Sequence, residues 1–257
     1  MPVLTGMTSQ TLVLTLLAPL AFATEATPFH WSGYVPAGKT ISVVGLTGTI
    51  RAERGTSGQV EVTARRSATI NDPNEVQIQV VPQTDGGVKI CAVYPGSGDC
   101  KESKKGWNRQ TSDVKVEFIV KVPAQVHFKG TNVNGDIEIA DVLGEAMAST
   151  VNGDVKVKVS DRVEASTVNG NIVATVTGVP RSAMGFQTVN GSIDLTLSGG
   201  ASAHVSASAV NGSLSTDFPI TVKGEFGNKS MTGAIGSGGP EIKMNTVNGS
   251  VRLHRGA

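Results

Sequence analysis

The tripeptide Val-Asn-Gly recurs through the second half of the chain, and this repeat constrains the fold more than any other feature. The copies occupy residues 133–135, 151–153, 168–170, 189–191, 210–212 and 247–249. A degraded copy, Met231-Thr232-Gly233, falls in the one long gap, so successive glycines are 18, 17, 21, 21, 21 and 16 residues apart. A repeat of about 20 residues is typical of a solenoid, in which each coil stacks on its sequence neighbours.

Small or apolar residues alternate with polar ones on both sides of each repeat Asn. Before the Asn, the predicted inward positions include Val163, Ala165, Thr167, Met184, Phe186, Thr188, Val205, Ala207, Ala209, Ile242, Met244 and Thr246. After the Asn they include Ile137, Ile139, Val155, Val157, Ile172, Ala174, Ile193, Leu195, Val251 and Leu253. This alternation predicts strands with one buried face. The phase slips by one residue at Val-Asn-Gly, so the chain turns a corner there.

The corner residues suggest how one coil would hold the next. They are Asn134, Gly135, Asn152, Gly153, Asn169, Gly170, Asn190, Gly191, Asn211, Gly212, Asn248 and Gly249. In a parallel stack the Asn amides could bond from coil to coil, as amide ladders do in cross-β structures, and glycine would allow a positive φ. Asn-Gly is also a hairpin signal, so an antiparallel sandwich or meander is the alternative. We favour an all-β fold built on a parallel β-solenoid of single stacked coils, with a less regular β region before it.

Composition agrees with strands and excludes several classes of protein. The chain has 34 valines and 31 glycines but only 12 leucines, which argues against an all-helical fold. Aromatic residues make up 4%, so the core must be filled by small side chains. The 22 basic residues are balanced by 21 acidic ones, and we therefore expect no nucleic acid as a partner.

The first half of the chain also reads as strands, without a clean repeat. Alternating segments cover 40–44, 49–54, 60–65, 76–81, 88–93 and 114–122. Thr47-Gly48 resembles a diverged corner, so the solenoid could begin near residue 40, with loops at 67–75, 82–87 and 94–112 projecting from it. Pro123 marks a boundary between a 24–123 β region and a 124–257 solenoid, or else a corner within one domain spanning 28–257.

The start of the sequence predicts export. An apolar stretch at 11–20 is followed by Ala21-Phe22-Ala23, the pattern of a signal peptide of residues 1–23 that is cut after Ala23. The later sequence contains no apolar run long enough to span a membrane, so we expect a periplasmic or secreted protein. Cys91 and Cys100 fit a disulfide in such a compartment, and a redox or metal pair is the alternative.

Several segments together resemble a known family. They are VKVEFIVKVP (114–123), TVNGDVKV (150–157), TVNGNIVA (167–174), TVNGSIDL (188–195) and GGPEIKMNTVNGSVRL (238–253). These segments resemble the bacterial envelope family called "putative adhesin", whose members are β-strand-repeat proteins of unknown biochemical role. The resemblance extends over roughly residues 28–257. It implies an envelope protein used for adhesion, scaffolding or partner binding, and it brings no catalytic residues and no cofactor.

Two acidic residues are the only candidates for a metal or an acid–base site. Asp136 and Asp154 directly follow corner glycines, so stacking would bring their carboxylates about 5 Å apart, where they could share a cation or a proton. The alternative function is therefore a solenoid enzyme that acts on acidic polysaccharides. Solvated turn residues explain the same pattern, and we expect no enzyme and no bound metal.

Two further features point to partners. The loop 101–109 carries Lys101, Lys104, Lys105 and Arg109 around Trp107, and it could bind an anionic glycan, a lipid headgroup or an acidic protein on the envelope. The alternative without a binding role is a solvated loop whose tryptophan covers the solenoid flank. We also expect an open strand edge near Leu253, through which copies of the chain could pair into a homo-oligomer.

Overall fold

A computed structural model describes residues 23–100, 112–223 and 228–256. Within these ranges the chain forms two sheets of eleven strands each. A single 3-10 turn, Pro73–Glu75, is the one helical element of the described residues. None of them forms a helix long and apolar enough to cross a membrane. The predicted all-β fold is confirmed.

The strands are short, and most of them alternate between the two sheets. In chain order they are β1 (Thr24–Glu25), β2 (Phe29–Gly33), β3 (Thr40–Val44), β4 (Ile50–Arg54), β5 (Val60–Ala68), β6 (Gln77–Pro82), β7 (Val88–Val93), β8 (Lys115–Val122), β9 (His127–Thr131), β10 (Ile137–Val142), β11 (Ala146–Ser149), β12 (Val155–Val159), β13 (Val163–Ser166), β14 (Ile172–Val176), β15 (Met184–Asn190), β16 (Ile193–Leu197), β17 (Ala203–Asn211), β18 (Leu214–Thr216), β19 (Val222–Lys223), β20 (Lys229–Ile235), β21 (Glu241–Asn248) and β22 (Val251–Arg255). The first sheet runs β1–β5–β8–β4–β10–β12–β14–β16–β22–β18, with β2 paired to β5. The second runs β19–β20–β17–β21–β15–β13–β11–β9–β3–β7–β6.

The central part of both sheets is parallel and stacks equivalent repeat positions on one another. In the first sheet, Ile137 pairs with Val155, Val155 with Ile172 and Ile172 with Ile193. The second sheet pairs β9, β11, β13 and β15 in the same way. A coil is therefore one strand of the second sheet, a Val-Asn-Gly corner and one strand of the first sheet. This is a solenoid-like arrangement, because each coil lies one strand spacing from the next.

One coil departs from the expected order. Strands β21 and β22, which we call the inserted coil, lie between β15–β16 and β17–β18 rather than beyond them. Leu253 pairs with Leu195 on one side and Thr216 on the other, and it is fully buried. The predicted open edge near Leu253 is therefore wrong. The expectation that every coil stacks on its sequence neighbours is also wrong at this position.

The degraded copy Met231-Thr232-Gly233 does not form a corner. It lies within β20, which runs antiparallel to β17 at the end of the second sheet. A Cβ on Gly233 would meet the Ile220 side chain at 2.8 Å, whereas corner glycines face backbone of the next coil. The motif spacing suggested a coil here because it reproduced the 21-residue period, although the Asn that bonds from coil to coil is missing.

The first half contributes one coil and a set of antiparallel strands. Strand β3 pairs with β9, β4 pairs with β10, and Thr47 bridges to Asn134, as the diverged corner predicted. Strands β7 and β8 stack in parallel on β3 and β4. Beyond them, β6 is antiparallel to β7 and β5 is antiparallel to β8. The segment 82–87, predicted as a projecting loop, closes the β6–β7 hairpin.

Small β-branched side chains fill the space between the sheets. One hydrophobic cluster extends from Val35 to Leu253 and includes residues on both sides of Pro123. Its largest fully buried side chains are Phe118, Phe128 and Phe186. The low aromatic content thus matches a thin core in which facing strands approach closely.

Candidate functional site

Each corner requires a glycine because successive coils are in close contact there. A Cβ on Gly170 would lie 2.0 Å from the carbonyl oxygen of Gly153, and one on Gly191 would lie 1.8 Å from that of Gly170. The same contact, at 1.7–2.3 Å, recurs at Gly135, Gly153, Gly249 and Gly212. Gly48 and Gly135 have φ of 119° and 142°, as expected for a corner, but steric exclusion applies at all six positions.

The corner asparagines form a continuous ladder of side-chain hydrogen bonds. Asn152 donates from Nδ2 to Oδ1 of Asn134 at 2.8 Å, and Asn169 donates to Asn152 at 2.7 Å. The ladder continues from Asn190 to Asn169, from Asn248 to Asn190 and from Asn211 to Asn248, at 2.7–2.9 Å. Its order repeats the order of the coils, including the position of the inserted coil.

A second ladder lies inside the corner and uses buried hydroxyls. Thr150, Thr167, Thr188 and Thr246 each donate to the carbonyl of a corner glycine in the adjacent coil, at 2.8–3.0 Å. Asn132 does the same toward Gly48 at 2.7 Å. These five are the buried polar residues of the described chain. Each therefore supplies a donor to a partly buried glycine carbonyl of the adjacent coil.

Asp136 and Asp154 belong to a third ladder, just after the corner. Oδ1 of Asp136 accepts the backbone N–H of Asp154 at 2.8 Å, and Oδ1 of Asp154 accepts that of Asn171 at 2.8 Å. Asn171 and Ser192 continue the pattern toward Ser192 and Ser250. The geometry gives both carboxylates a stacking role. No group of three metal-ligating side chains occurs within the described ranges.

The two cysteines form the predicted disulfide at the edge of the second sheet. Lys89 Nζ donates to the Cys100 carbonyl at 3.0 Å. The nearby Tyr94 hydroxyl donates to the Val114 carbonyl at 2.9 Å, and burial raises the pKa of Tyr94 to about 12. The predicted binding loop, with Lys101, Lys104, Lys105, Trp107 and Arg109, lies outside the described residues, as do residues 1–22 of the predicted signal peptide.

The outer face of the second sheet carries a depression that the sequence did not predict. We call it the outer groove; it has a volume of about 540 Å³ and is open to solvent. Its axis crosses β9, β11, β13, β15 and β21 along the paired outward row Lys129, Met147, Glu164, Gly185 and Lys243. A Cβ on Gly185 would meet no atom within 4 Å, so the missing side chain leaves a gap in the row.

Charge is unevenly satisfied along the outer groove. Arg162 contacts Glu164 through Nη2 and lies 3.6 Å from Glu145, and the hydrogen bond to Glu164 raises the pKa of Arg162. Lys129 and Lys243 form no ion pair with any described residue, and both are exposed. The groove thus has a free ammonium group toward each end, four strand steps or roughly 19 Å apart.

A parallel row of small polar side chains borders the charged one. Ser149, Ser166, Gln187 and Asn245 occupy successive paired positions, and Ser166 donates to Ser149 at 3.0 Å. These groups could hydrogen-bond to an extended ligand that crosses the strands. Glu241 adds a carboxylate at the rim, two residues before Lys243.

On the outer face of the first sheet, most charges of the central row pair across neighbouring strands, and Lys156 is the exception. Arg51 binds Glu138 at 3.0 Å, and Arg252 binds Asp194 at 3.0 Å across neighbouring strands. Val173 occupies the position between Lys156 and Asp194 and is 43% exposed.

Sequence reasoning missed the outer groove because no motif marks it. The groove depends on which outward residues become neighbours when the coils stack, and on the insertion of β21 beside β15. One local signal was present: Gly185 interrupts the outward polar positions of its strand, between the buried Met184 and Phe186.

The chain is similar to several solved structures, all of them distant in sequence. A putative cell adhesion protein from Clostridium sporogenes is 14% identical, with a TM-score of 0.48 over 90% of this chain and 100% of that chain. A putative adhesin from Bacteroides fragilis is 14% identical, with a TM-score of 0.33 over 89% and 97%. A putative lipid binding protein from Parabacteroides distasonis is also 14% identical, with a TM-score of 0.25 over 90% and 97%.

No curated protein matches the chain at a significant level. The model of the Toastrack DUF4097 family matches residues 41–254, from the first stacked strand to the inserted coil. The resemblance expected from the repeat segments is confirmed. Because the match spans most of its length, the chain belongs to the Toastrack DUF4097 family.

Proposed function

We propose that this chain is an exported, non-enzymatic protein of the cell envelope that binds a surface ligand or partner through the outer groove. The observation that carries the proposal is the row Lys129–Met147–Glu164–Gly185–Lys243, which combines an open gap with unpaired lysines. The repeated polar side chains at the corners, in contrast, are occupied by contacts between coils. The groove thus combines hydrogen-bonding side chains with two lysines that no described residue pairs.

The groove geometry favours an extended ligand with negative charge. Its length follows the stack, so a polymer would meet a new side chain at each strand spacing of about 4.8 Å. The two ammonium groups would bind anionic groups, while Gln187, Ser149 and Ser166 would hydrogen-bond between them. No aromatic side chain lines this groove, so ring stacking on sugars would contribute nothing there.

Export is supported by the disulfide, since such bonds persist in oxidising compartments. We further propose that residues 1–23 act as a cleaved signal peptide, and that residues 28–257 form one domain around the shared core. The basic loop 101–109 is a proposed second contact with the envelope. Replacing Lys104, Lys105 and Trp107 together should weaken envelope association if this second contact exists.

A photo-crosslinking amino acid at position 185 tests the groove directly. Gly185 has room for a side chain, so the substitution should leave the fold intact. The matched control is the same amino acid at Val173, an exposed outward position on the other sheet. We expect crosslinked products from intact envelopes at position 185 and few at position 173. Equal yields at both positions, or none at position 185, would refute binding in the groove.

A calcium titration tests the alternative function, an enzyme that acts on acidic polysaccharides. Calcium bound by Asp136 and Asp154 would raise the melting temperature, because a ligand of the native state stabilises it. We expect no rise and no release of sugar ends. A calcium-dependent rise that disappears in Asp154→Asn would favour the alternative.

A further inference from the structure

The six Asn-Gly dipeptides of the chain are its six corners, and Asn-Gly is a chemically reactive pair. The backbone nitrogen of the glycine can attack the Cγ atom of the preceding asparagine, because glycine has wide backbone freedom and no side chain to hinder the approach. The peptide unit must turn toward the side chain before the attack, so the glycine N–H must first be released from any hydrogen bond. The bonding of each corner glycine therefore decides whether that corner can react.

In five of the six corners the glycine N–H is held by the next coil of the stack. It donates to the backbone carbonyl of the equivalent asparagine at 2.7–3.0 Å, and the pairs are Gly135 with Asn152, Gly153 with Asn169, Gly170 with Asn190, Gly191 with Asn248, and Gly249 with Asn211. All five glycines are half-buried. Such bonds open only when neighbouring coils separate locally, and the five nitrogens are unavailable for attack while the stack is closed.

The sixth corner, Asn211-Gly212, ends the row of parallel corners, and its glycine lacks this bond. The next strand of the second sheet, β20, is antiparallel and pairs with β17 only as far as Ala209, so it brings no corner carbonyl. The Gly212 N–H donates to no atom of the described residues. Asn211 and Gly212 are both exposed, and Gly212 is the one exposed glycine among the six corners. Water and base therefore reach this nitrogen in the folded chain.

We propose that Asn211 is a site of spontaneous deamidation, and that the stack protects the other five corner asparagines. The Gly212 nitrogen forms a bond to Asn211 Cγ, and Nδ2 leaves as ammonia with the proton that the glycine nitrogen gives up. The product is a cyclic imide. Water then adds to one of the two imide carbonyls and breaks its bond to nitrogen. Attack at Cγ leaves aspartate, attack at the backbone carbonyl leaves isoaspartate, and neither route consumes an oxidant or a reductant.

Deamidation at position 211 changes the charge and the bonding of the last corner. Asn211 donates from Nδ2 to Oδ1 of Asn248 at 2.9 Å, whereas a carboxylate has no hydrogen to donate and places negative charge beside that oxygen. Isoaspartate also routes the backbone through Cγ, which adds one chain atom shortly before β18. The reaction therefore loosens the last coil irreversibly as the protein ages, and it leaves the residues of the outer groove unchanged.

Two aspartate variants test this consequence, because the ladder has a direction. At its other end Asn134 accepts through Oδ1 from Asn152 at 2.8 Å, and an aspartate there can still accept. We expect Asn211→Asp to raise the equilibrium constant for unfolding about two- to tenfold, the value of one lost hydrogen bond, and Asn134→Asp to change it little. Urea unfolding in added salt, which screens the exposed charges, measures both constants. An equal or larger effect of Asn134→Asp would overturn the predicted loosening.

Deamidation rates measured at each corner test the proposal itself. The full chain is aged in mildly alkaline buffer, and peptide mapping by mass spectrometry with fragmentation follows the mass gain from asparagine to aspartate at every corner. We expect Asn211 to convert at least about tenfold faster than any other corner asparagine, since their bonded nitrogens react only during openings of the stack.

The matched control is the same chain aged in urea. All six corners share the sequence Val-Asn-Gly, so their rates should become similar once the stack is unfolded. A folded chain in which Asn211 converts no faster than the other five corner asparagines, or does not convert, would overturn the proposal.

Discussion

Individual corner residues are chosen by the neighbouring coil more than by their own backbone. Gly170 and Gly191 have no room for a Cβ because a carbonyl of the preceding coil occupies that space. Four of the six corner asparagines have a buried threonine two residues earlier, and each of these threonines donates to such a carbonyl. The repeated residues are therefore the ones that contact the neighbouring coil, which is why the repeat predicted the stack.

The substitution Gly170→Ala should destabilise the fold strongly. The added methyl group would approach the Gly153 carbonyl to 2.0 Å, and overpacking of this kind costs about 1–3 kcal/mol or more. Gly58→Ala is the matched control, because its Cβ would meet nothing within 4 Å. Urea unfolding of both variants measures the difference. Equal stabilities would contradict the steric account of the corner.

The substitution Thr167→Val should remove one bond of the buried ladder while preserving side-chain shape. The Gly153 carbonyl would lose its 2.9 Å donor at a partly buried position. A fully buried unsatisfied group costs about 1–3 kcal/mol, so we expect a loss near the lower end of that range. Thr175→Val, at an outward position of β14, serves as control and should change the free energy of unfolding little. If the two variants lost the same stability, the threonine ladder would have no special role.

At the scale of elements, one residue rationalises the unexpected coil order. The coil of Asn211 has Ala209 where the inserted coil has Thr246, which donates to the Gly191 carbonyl at 2.8 Å. If β17 stacked directly on β15, the Gly191 carbonyl would lose that donor. In the observed order the Gly249 carbonyl faces the Ala209 coil instead, so the carbonyl without a threonine donor lies one coil further from the middle of the stack.

The Asp217 contact at the end of the inserted coil should make stability depend on pH. Bonds from the Arg255 N–H and from His254 lower the pKa of Asp217. A lowered carboxyl pKa stabilises the fold above the unfolded value of about 3.9, and the effect is lost as pH falls through the folded value.

The expected result is that Asp217→Asn is less stable than the native chain at pH 6, with a smaller difference at pH 3. Glu241→Gln is the control, since that carboxylate forms no side-chain bond with a described residue. Urea unfolding at both pH values provides the measurement. A difference that grew toward pH 3 would contradict the assignment.

Sequence alone predicted most strands, the corners and the disulfide, because each has a local signature. Alternation identified β3 to β8, and Thr47-Gly48 indicated the first coil. The order in which the coils stack could not be predicted, because corners with nearly identical residues can stack in more than one order. The reversal of β20 and the gap at Gly185 also arise only when distant strands meet.

At the scale of the whole molecule, the decisive feature is the inserted coil inside the stack. Its corner residue Asn248 bonds to Asn190, which lies 58 residues earlier in the chain. Because this coil is bonded on both sides and shares the core, stability and groove shape both depend on its placement. The groove contains Lys243 only because β21 lies next to β15. Coil order is thus the central claim on which the other conclusions rest.

Single-chain cysteine pairs measure coil order most directly. Adjacent parallel strands lie about 4.8 Å apart, within reach of a disulfide, whereas a separation of two strands exceeds that reach. Serines 192, 250 and 213 occupy the same repeat position, and the Oγ atoms of Ser213 and Ser250 are 2.7 Å apart. We predict that the pairs Ser192→Cys with Ser250→Cys and Ser213→Cys with Ser250→Cys oxidise within one chain, while Ser192→Cys with Ser213→Cys stays reduced. Rapid oxidation of the 192–213 pair would show that the coils follow sequence order and would contradict the account.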